Sequence, residues 1–342
     1  MSKTGNNNHN LVSKRFKTFS LLVLTSVLLV SCSSLEGTQT SEIIQINIAY
    51  PSTADIGDIP SILVLEMLAE QGYEIERTFY AQTDLAVEAL SSGDADFAYG
   101  STRTYWAAKS KGANFVMIME QVANDRAILA VSDIQTCEDL DGRRFAVGGE
   151  GSGSHAMSVA YILENCPGTE VELFIIPGSE NRAAALLAGE IDATPVELAD
   201  AIQLDLKAPD RIHVLTNFAL DLPNLNTTGV YVNSDFAANN PQVVKDFIEA
   251  TLDVRRRIRQ DQELLTAVAV DLLKIDQEIL PLILDTYLGI DAWDVNGGIS
   301  FESIQFSIDF WTNADRLDPG LTPEFVVDFS LLDEILAEIG KE

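Results

Sequence analysis

The sequence predicts an α/β protein with two lobes, mostly parallel sheets that carry helices on both faces, and a cleft between the lobes. Short apolar strand patterns alternate with helical patterns, and glycines mark the joins between them, as is typical of βαβ units. A helix–glycine–strand unit also occurs twice, 96 positions apart, which predicts two similar halves. At 342 residues, the chain is long enough for two domains of ordinary size.

The repeated unit covers residues 83–101 and 179–197. Each copy has the pattern of a capped helix, a glycine that stops it and a short strand with a polar residue at its end, Ser101 in the first copy and Glu197 in the second. A true duplication and the common pattern of such units both explain the match. The matching positions are Thr83 and Ser179, Ala89 and Ala185, Leu90 and Leu186, Gly93 and Gly189, and Asp96 and Asp192.

A loop rich in glycine and serine follows the predicted strand at 143–147. The loop, residues 148–155, leads into a helical pattern at 156–164, where Ser152 or Ser154 can cap the helix. The free N–H groups of a first helical turn face the region beyond the strand ends, where ligands bind in open α/β sheets. We therefore expect this loop and Glu197 to face one cleft.

The first 31 residues have the pattern of a signal peptide. A basic stretch at 14–17 precedes an apolar run at 19–30, which is short for a membrane span. The run ends in Leu29-Val30-Ser31-Cys32, which resembles the lipobox of bacterial lipoproteins. The resemblance implies cleavage before Cys32, acylation of that cysteine and a polar tether at 32–42, which would anchor the mature chain outside the cytoplasm. An ordinary core helix is the alternative.

The mature chain is predicted to be strongly acidic. The sequence has 22 Lys and Arg against 52 Asp and Glu, and residues 1–31 contain four of the former and none of the latter. Removing them leaves 18 positive against 52 negative side chains, a net charge of −34. Such a charge repels nucleic acid, which is therefore excluded as a partner.

The strand and helix patterns divide the mature chain into two lobes. Residues 43–130 and 228–342 are predicted to form the first lobe, and residues 131–227 the second. In this division, the apolar stretch at 127–131 carries the chain into the second lobe. An arginine cluster at 255–259 is interpreted as a solvated face that pairs with acidic neighbours, and a docking patch is the alternative.

Two cysteines remain after cleavage, Cys137 and Cys166. Cys137 precedes a predicted strand and Cys166 follows the helix that returns from the glycine-rich loop, so both should lie at one edge of the second lobe. A disulfide is compatible with an extracytoplasmic location, and two separate buried thiols are the alternative.

Few residues suit catalysis or metal binding. Neither His155 nor His213 has a second ligand at metal spacing, so no metal is expected. The motif Gly151-x-Gly153-x-x-Ala156 imitates a dinucleotide fingerprint, but an extracytoplasmic chain has little access to nicotinamide cofactors, and no cofactor is expected. Ser154-His155 lacks a nucleophile arrangement. These observations favour a binding protein over an enzyme, with an anchored hydrolase or sensory domain as the alternative.

Several motifs together resemble the solute-binding proteins of ABC importers, in the group that includes binders of sulfonates, taurine, nitrate and thiamine-pyrimidine precursors. The matching stretches are residues 93–101, 151–155, 184–193, 195–197, 294–298 and 328–337. The resemblance implies a two-lobed, type II periplasmic-binding fold that closes by hinge motion on a small molecule. It also implies a monomer that delivers its solute to an ABC permease with its ATPase, and whose contact with the membrane is the lipid anchor.

Carried over position by position, the resemblance implies ligand contacts at strand ends and helix starts of both lobes. The residues are Ser52, Thr53, Asp58, Ser101, Thr102, Ser152, Gly153, Ser154, His155, Glu197 and Thr227. A helix cap or a turn is the alternative role for each polar residue. The cleft loops bring Asp55, Asp58, Glu150 and Glu197 together without an evident arginine partner, which disfavours a simple oxyanion. The carboxylates favour a zwitterion or an amino-heterocycle, and a riboflavin-like or other heteroaromatic vitamin is the second candidate.

Overall fold

The structure, a computed structural model, describes residues 44–51, 54–80, 83–149, 153–273 and 275–342. The predicted signal peptide, the lipidation site Cys32 and the tether lie outside the described residues, as do Ser52, Thr53, Glu150 and Ser152. Within the described ranges, none of the helices combines the length and the apolar character that a membrane crossing requires.

The first sheet, as far as the chain is described, consists of β1 (Gln45–Tyr50), β2 (Glu74–Phe79), β3 (Phe97–Ser101), β4 (Phe115–Glu120) and β10 (Thr228–Asn233). The strand order is β2-β1-β3-β10-β4. β1 pairs in parallel with β2 and β3, whereas β10 pairs antiparallel with both β3 and β4. β10, from late in the chain, therefore runs opposite to the other strands.

The second sheet has the same plan and consists, over the described residues, of β5 (Arg126–Val131), β6 (Arg144–Val147), β7 (Glu172–Ile175), β8 (Ala193–Glu197) and β9 (Ile212–Asn217). Its order is β7-β6-β8-β5-β9. β6 pairs in parallel with β7 and β8, and β5 pairs antiparallel with β8 and β9. The prediction of two lobes with mostly parallel sheets is confirmed.

Helices lie on both faces of the sheets, as predicted, and they dominate the chain after β10. They are α1 (Ile59–Glu70), α2 (Thr83–Ser92), α3 (Thr102–Ser110), α4 (Gly153–Asn165), α5 (Ser179–Ala188), α6 (Leu198–Lys207), α7 (Phe218–Asp221), α8 (Ser234–Asn239), α9 (Pro241–Gln260), α10 (Glu263–Asp271), α11 (Leu280–Gly289), α12 (Phe301–Asn313), α13 (Pro323–Val326) and α14 (Ser330–Ile339).

The same pattern of hydrogen bonds around an aspartate occurs in each of the two sheets. Asp96 precedes β3, and its Oδ2 accepts from the backbone N–H of Asn47 in β1 at 2.8 Å. Asp192 precedes β8, and its Oδ2 accepts from the backbone N–H of Arg144 in β6 at 2.9 Å. The backbone N–H of each aspartate donates in return to the carbonyl oxygen of the same partner, at 2.8 Å in both sheets. Residues matched in the sequence thus occupy equivalent places, an outcome compatible with both explanations of the repeat.

The chain crosses between the sheets earlier than the sequence suggested. β5 pairs with β8 and β9, which are strands of the second sheet. By sheet membership, the assignment of residues 126–130 to the first lobe is therefore wrong, and the first crossing segment is 121–125. A buried apolar strand has the same pattern in either sheet, and only its hydrogen-bonded partners decide where it belongs. The rest of the division into lobes stays a prediction.

Helix α9 anchors the C-terminal helices to the first sheet. Its residues Val243, Val244, Phe247 and Ile248 are buried, at the three- and four-residue spacing of one helix face. The ring of Phe247 stacks on that of Phe97 in β3, with centroids 4.3 Å apart. Burying a side chain of this size contributes about 1.5–3 kcal/mol, so this contact is a substantial part of the attachment.

The arginine cluster at the end of α9 divides into buried and exposed members. Arg255 is 3% exposed, and its guanidinium donates to the carbonyl oxygens of Glu120 and Gln121, where the chain leaves β4. Arg257 and Arg259 form ion pairs at the surface. The interpretation as a solvated face is therefore wrong for Arg255, because this part of α9 packs against the first crossing segment.

Cys137 and Cys166 are paired as a disulfide, with their Cα atoms 5.8 Å apart. This separation lies within the range that disulfides span. The bond joins the turn before β6 to the end of α4, so it closes the helical connection at one edge of the second sheet.

Removing the disulfide is expected to destabilise the protein. Replacing both cysteines by serine frees a loop of 29 residues, and the lost constraint on the unfolded chain corresponds to about 3 kcal/mol. Denaturant unfolding of the double variant, beside wild type with and without reductant, measures the difference. Thiol titration of the unfolded, non-reduced chain from residue 43 onward should detect no thiol, and detection of two would contradict the pairing.

Candidate ligand-binding cleft

Polar residues of both sheets meet where the strands end. β3 ends at Ser101, and Thr228 opens β10 directly opposite it in the antiparallel register. β8 ends at Glu197, and Arg126 opens β5 directly opposite it. The same register in both sheets thus places the end of a central strand beside the start of the antiparallel strand that pairs with it.

Two adjoining cavities lie at these strand ends. The acidic cavity has a volume of about 200 Å³ and is lined by Tyr50, Pro51, Asp55, Asp58, Thr83, Gly100, Gln121, Val122 and Asp125. The tryptophan cavity has a volume of about 230 Å³ and is lined by Gly153, Ser154, Met157, Thr227 and Trp311. Ser101, Arg126 and Thr228 line both. Larger cavities near Glu120, Asp84 and Lys109 contain none of the predicted contacts among the described residues that line them.

Asp55 and Asp58 are held by the turn that precedes α1. Asp55 Oδ1 accepts from the N–H of Gly57 at 2.8 Å, and Asp58 Oδ2 accepts from the N–H of Asp55 at 2.9 Å. The other oxygen of Asp58 accepts from the side-chain amide of Gln121 in the first crossing segment. The local sequence therefore builds the turn, and the fold adds a donor from 63 residues away.

Burial raises the pKa values of the carboxyl groups in the acidic cavity. Desolvation raises the pKa of Asp58 to about 7, with further contributions from the charges of Glu197 and Asp125. Desolvation and the neighbouring Asp58 raise the pKa of Asp55 well above its ordinary value. The pKa of Asp125 is also raised by desolvation, although Arg126 acts against it. Crowded carboxyl groups in a dry site do not all ionise, so the empty cleft retains protons near neutral pH.

Arg126 supplies a positive charge at the boundary of the two cavities. Its Nη1 lies 2.6 Å from Glu197 Oε1, and its Nε lies 3.6 Å from Asp125 Oδ1. The expectation that Glu197 lacks an arginine partner is therefore wrong, because the β5–β8 register joins residues 71 positions apart. Burial acts to lower the pKa of Arg126, but attraction by Glu197, Asp125 and Asp55 outweighs it and raises that pKa.

The structure brings several of the predicted contact residues together. Asp58 lines the acidic cavity. Gly153 and Ser154, at the start of α4, line the tryptophan cavity together with Ser101 and Thr227. The start of α4 and the strand end at Ser101 thus face the same space, although β3 belongs to the first sheet and α4 follows a strand of the second.

Other predicted residues lie beside the cavities without lining them. Thr102 is fully buried, and its hydroxyl donates to the carbonyl oxygen of Asn226 at 2.6 Å, which ties α3 to the second crossing segment, residues 222–227 between α7 and β10. His155 is buried within α4. Glu197 reaches the cavities through its ion pair with Arg126. Their roles in binding stay predictions.

Several residues of the cleft were missed from the sequence, among them Arg126, Gln121 and Trp311. Arg126 opens an otherwise apolar strand, and a charge in that position is a signal that could have located it. Gln121 belongs to an irregular segment whose course depends on the whole fold. Trp311 lies on the buried face of α12, and a tryptophan on such a face has the same pattern whether it fills a core or borders a cavity.

The family model of NMT1/THI5-like proteins matches residues 68–262, more than half of the chain. The chain therefore belongs to the NMT1/THI5-like family. A comparison with curated proteins by sequence found no match.

Solved structures share the fold at low sequence identity. The ligand-binding component of an ABC-type import system from Staphylococcus aureus, with zinc bound, has a TM-score of 0.69 at 14% identity, over 85% of this chain and 98% of that one. The periplasmic aliphatic sulphonate-binding protein of Escherichia coli has a TM-score of 0.67 at 18% identity, over 85% and 100%. The periplasmic nitrate-binding protein of Synechocystis PCC 6803 has a TM-score of 0.67 at 13% identity, over 87% and 90%.

These similarities confirm the predicted periplasmic-binding fold. They establish the fold and not the function, because a desulfurization enzyme has the same fold, with a TM-score of 0.59 at 14% identity over 86% of this chain and 99% of that one. The solute that the cleft binds is therefore determined by the chemistry of the residues that line it.

Replacing Asp58 by Asn is expected to stabilise the empty protein above neutral pH. The pKa of Asp58 is raised from 3.8 to about 7, so between these values the folded protein binds more protons than the unfolded chain. Stability therefore falls as pH rises through this window, and the loss is complete above it. Asn does not ionise, and Gln121 can turn its amide to keep the hydrogen bond. The gain should be on the order of 1–3 kcal/mol at pH 8 and near zero at pH 4.

Denaturant unfolding at pH 4, 6 and 8 measures this gain. Asp210→Asn, at an exposed position, is the matched control and should change little at any pH. A gain at Asp58→Asn that is the same at all three pH values would contradict the argument.

Proposed function

We propose that this protein is the solute-binding component of an ABC importer, which captures a small molecule in its cleft and delivers it to a permease with its ATPase. The observation that carries the proposal is the convergence of strand ends from both lobes on two adjoining cavities. Family membership supports it, and so does the fold shared with the import, sulphonate-binding and nitrate-binding proteins described above. On this proposal the protein binds and does not catalyse.

The charges of the cleft favour a solute with a cationic or donor-rich end. Asp55, Asp58 and Asp125 line the acidic cavity, and Arg126 on the same wall is already paired with Glu197. A nitrate or sulfonate group there would meet like charges wherever these carboxyl groups are ionised, and Arg126 offers it no unpaired positive charge, which costs binding free energy. A protonated amine or an amino-heterocycle would be attracted, and its charge would favour the ionised carboxylates. We therefore propose a zwitterionic or amino-heterocyclic solute.

A heteroaromatic vitamin of the riboflavin type is the second candidate. Tyr50 lines the acidic cavity and Trp311 lines the tryptophan cavity, so aromatic rings are available for stacking on a flat solute. Binding of riboflavin in preference to small amines would favour this candidate. A sensory domain would share the cleft but would be encoded beside a kinase instead of a permease and an ATPase.

We place the protein outside the cytoplasm, as a monomer tethered by a lipid on Cys32. The lipobox-like stretch Leu29-Val30-Ser31-Cys32 supports the anchor. The disulfide between Cys137 and Cys166 supports the compartment, because such bonds persist where the surroundings are oxidising.

Replacing Glu197 by Gln is expected to weaken solute binding. Glu197 holds Arg126 through an ion pair at 2.6 Å. Without that charge, Arg126 is free to pair with Asp58 and Asp125 and competes with a cationic solute for them. Loss of one charge-assisted interaction is worth about 1.5–3 kcal/mol, which is tenfold or more in affinity. Mass spectrometry of the folded wild type identifies the solute that co-purifies with it, and calorimetric titration with that compound measures the change.

Two variants serve as controls for Glu197→Gln. Ser101→Ala should weaken binding less, because the neutral hydroxyl contributes less than a charge. Asp133→Asn removes an exposed ion pair with Arg143 and should leave affinity unchanged. Wild-type affinity in Glu197→Gln would remove the residue from the site, and a large loss of stability without solute would make its role structural.

Replacing Cys32 by Ser is expected to abolish lipid attachment, because the thiol is the proposed acylation site. The variant should carry no labelled fatty acid and should leave the membrane fraction. The double variant Cys137→Ser and Cys166→Ser should keep both properties. A labelled lipid on Cys32→Ser would show that the anchor is elsewhere.

A further inference from the structure

The tryptophan cavity is bordered by buried polar groups that lack a protein partner. Trp311 is 2% exposed, and its Nε1–H has no hydrogen-bond acceptor among the described residues. The hydroxyl of Thr227, in the second crossing segment, is buried and equally unpartnered within the described chain. An indole N–H can only donate, and native proteins seldom leave such a group without an acceptor. A solute that offers an oxygen atom would satisfy both groups.

The two adjoining cavities differ in their charge. The acidic cavity is lined by Asp55, Asp58 and Asp125. Of the described residues that line the tryptophan cavity, none is acidic, and Trp311 and Thr227 offer donors instead. A positively charged N–H group is therefore favoured in the first cavity, and an acceptor oxygen in the second.

One solute can occupy both cavities. Ser101, Arg126 and Thr228 line both, so the cavities adjoin without a separate wall. Each cavity, at about 200 and 230 Å³, is smaller than the roughly 300–1,000 Å³ that ligand pockets usually have. A single small molecule that extends from one to the other would use the available volume.

We propose that the solute is dipolar and binds in one orientation. Its positively charged N–H group lies among Asp55, Asp58 and Asp125, and an acceptor oxygen, as in a carboxylate, accepts from Trp311 Nε1 and Thr227 Oγ1. Arg126, held by Glu197 at 2.6 Å, stands where the two poles meet. This proposal rests on the proposed function and deepens it, because it names the chemical class of the solute and a specificity residue, Trp311, on a C-terminal helix.

The experiment pairs solutes that differ by one group with variants that lack one donor. The probes are glycine, β-alanine, γ-aminobutyrate and taurine, and, for the tightest of them, the amine that lacks the acid group and the acid that lacks the amine. Each is titrated calorimetrically into the mature protein. The zwitterion should bind better than either of its halves.

Trp311→Phe and Thr227→Val each remove a donor while keeping an apolar side chain. Each should weaken the zwitterion about tenfold, the value of a lost hydrogen bond to a charged group, and leave the amine unchanged. Asp58→Asn should weaken the zwitterion and the amine alike. Trp106→Phe is the matched control, since the indole of Trp106 is also buried without a partner in the described chain but lines neither cavity. It should change no affinity.

Three results would overturn the dipolar solute. In the first, Trp311→Phe and Thr227→Val weaken the affinity for the zwitterion and for the amine equally. In the second, the wild type binds the zwitterion and its amine with equal affinity. In the third, the wild type binds no zwitterion of the series. If an amino-heterocycle, nitrate, an alkanesulfonate or riboflavin binds in the last case, the proposed function stands and only the dipolar class fails. If none of these binds either, both fail. Thermal melts of the variants without solute establish that they fold. If Trp311→Phe does not fold, the affinities of Thr227→Val alone provide the test.

Discussion

Backbone hydrogen bonds between β10 and β3, and between β5 and β8, determine where the cleft residues stand. Each sheet includes one strand, β10 in the first and β5 in the second, that directly follows a crossing segment and runs against its neighbours. Its first residue therefore lies beside the last residue of a central strand. This arrangement brings Thr228 next to Ser101 and Arg126 next to Glu197, so both sheets contribute residues to the cleft.

The segments that connect the lobes are held by helices that lie far along the chain. The guanidinium of Arg255 binds two carbonyl oxygens at the start of the first crossing segment, and the hydroxyl of Tyr287 donates to Asp125 near its end at 2.9 Å. Thr228 donates to the carbonyl oxygen of Val122 at 2.9 Å, which ties the two crossings to each other. The C-terminal helices thus support the part of the chain about which a closing motion would turn.

The acidic cavity is an arrangement that folding by itself does not favour. Asp58 and Asp125 are buried, and their pKa values are raised by that burial. Local conflicts of this kind are expected at functional sites, where stability is given up for binding. A cationic solute would lower these pKa values again, because its charge favours the ionised carboxylates, so binding would be coupled to proton release. Because the charge of Arg126 is balanced by Glu197, it does not cancel the charges of the aspartates, and the cavity stays acidic.

Local sequence determined the elements of this protein and the likeness of its halves. The helix–glycine–strand units at 83–101 and 179–197 were predicted because helix caps, glycine stops and strand alternation depend on near neighbours. The motifs also sufficed for the family and its fold. The tertiary structure decided the sheet to which β5 belongs, the partner of Glu197, the burial of Arg255 and the place of Trp311. Each depends on contacts with residues distant in the chain, 71 positions for Glu197 and 135 for Arg255, and the periodicity of one segment carries no information about which distant segment packs against it.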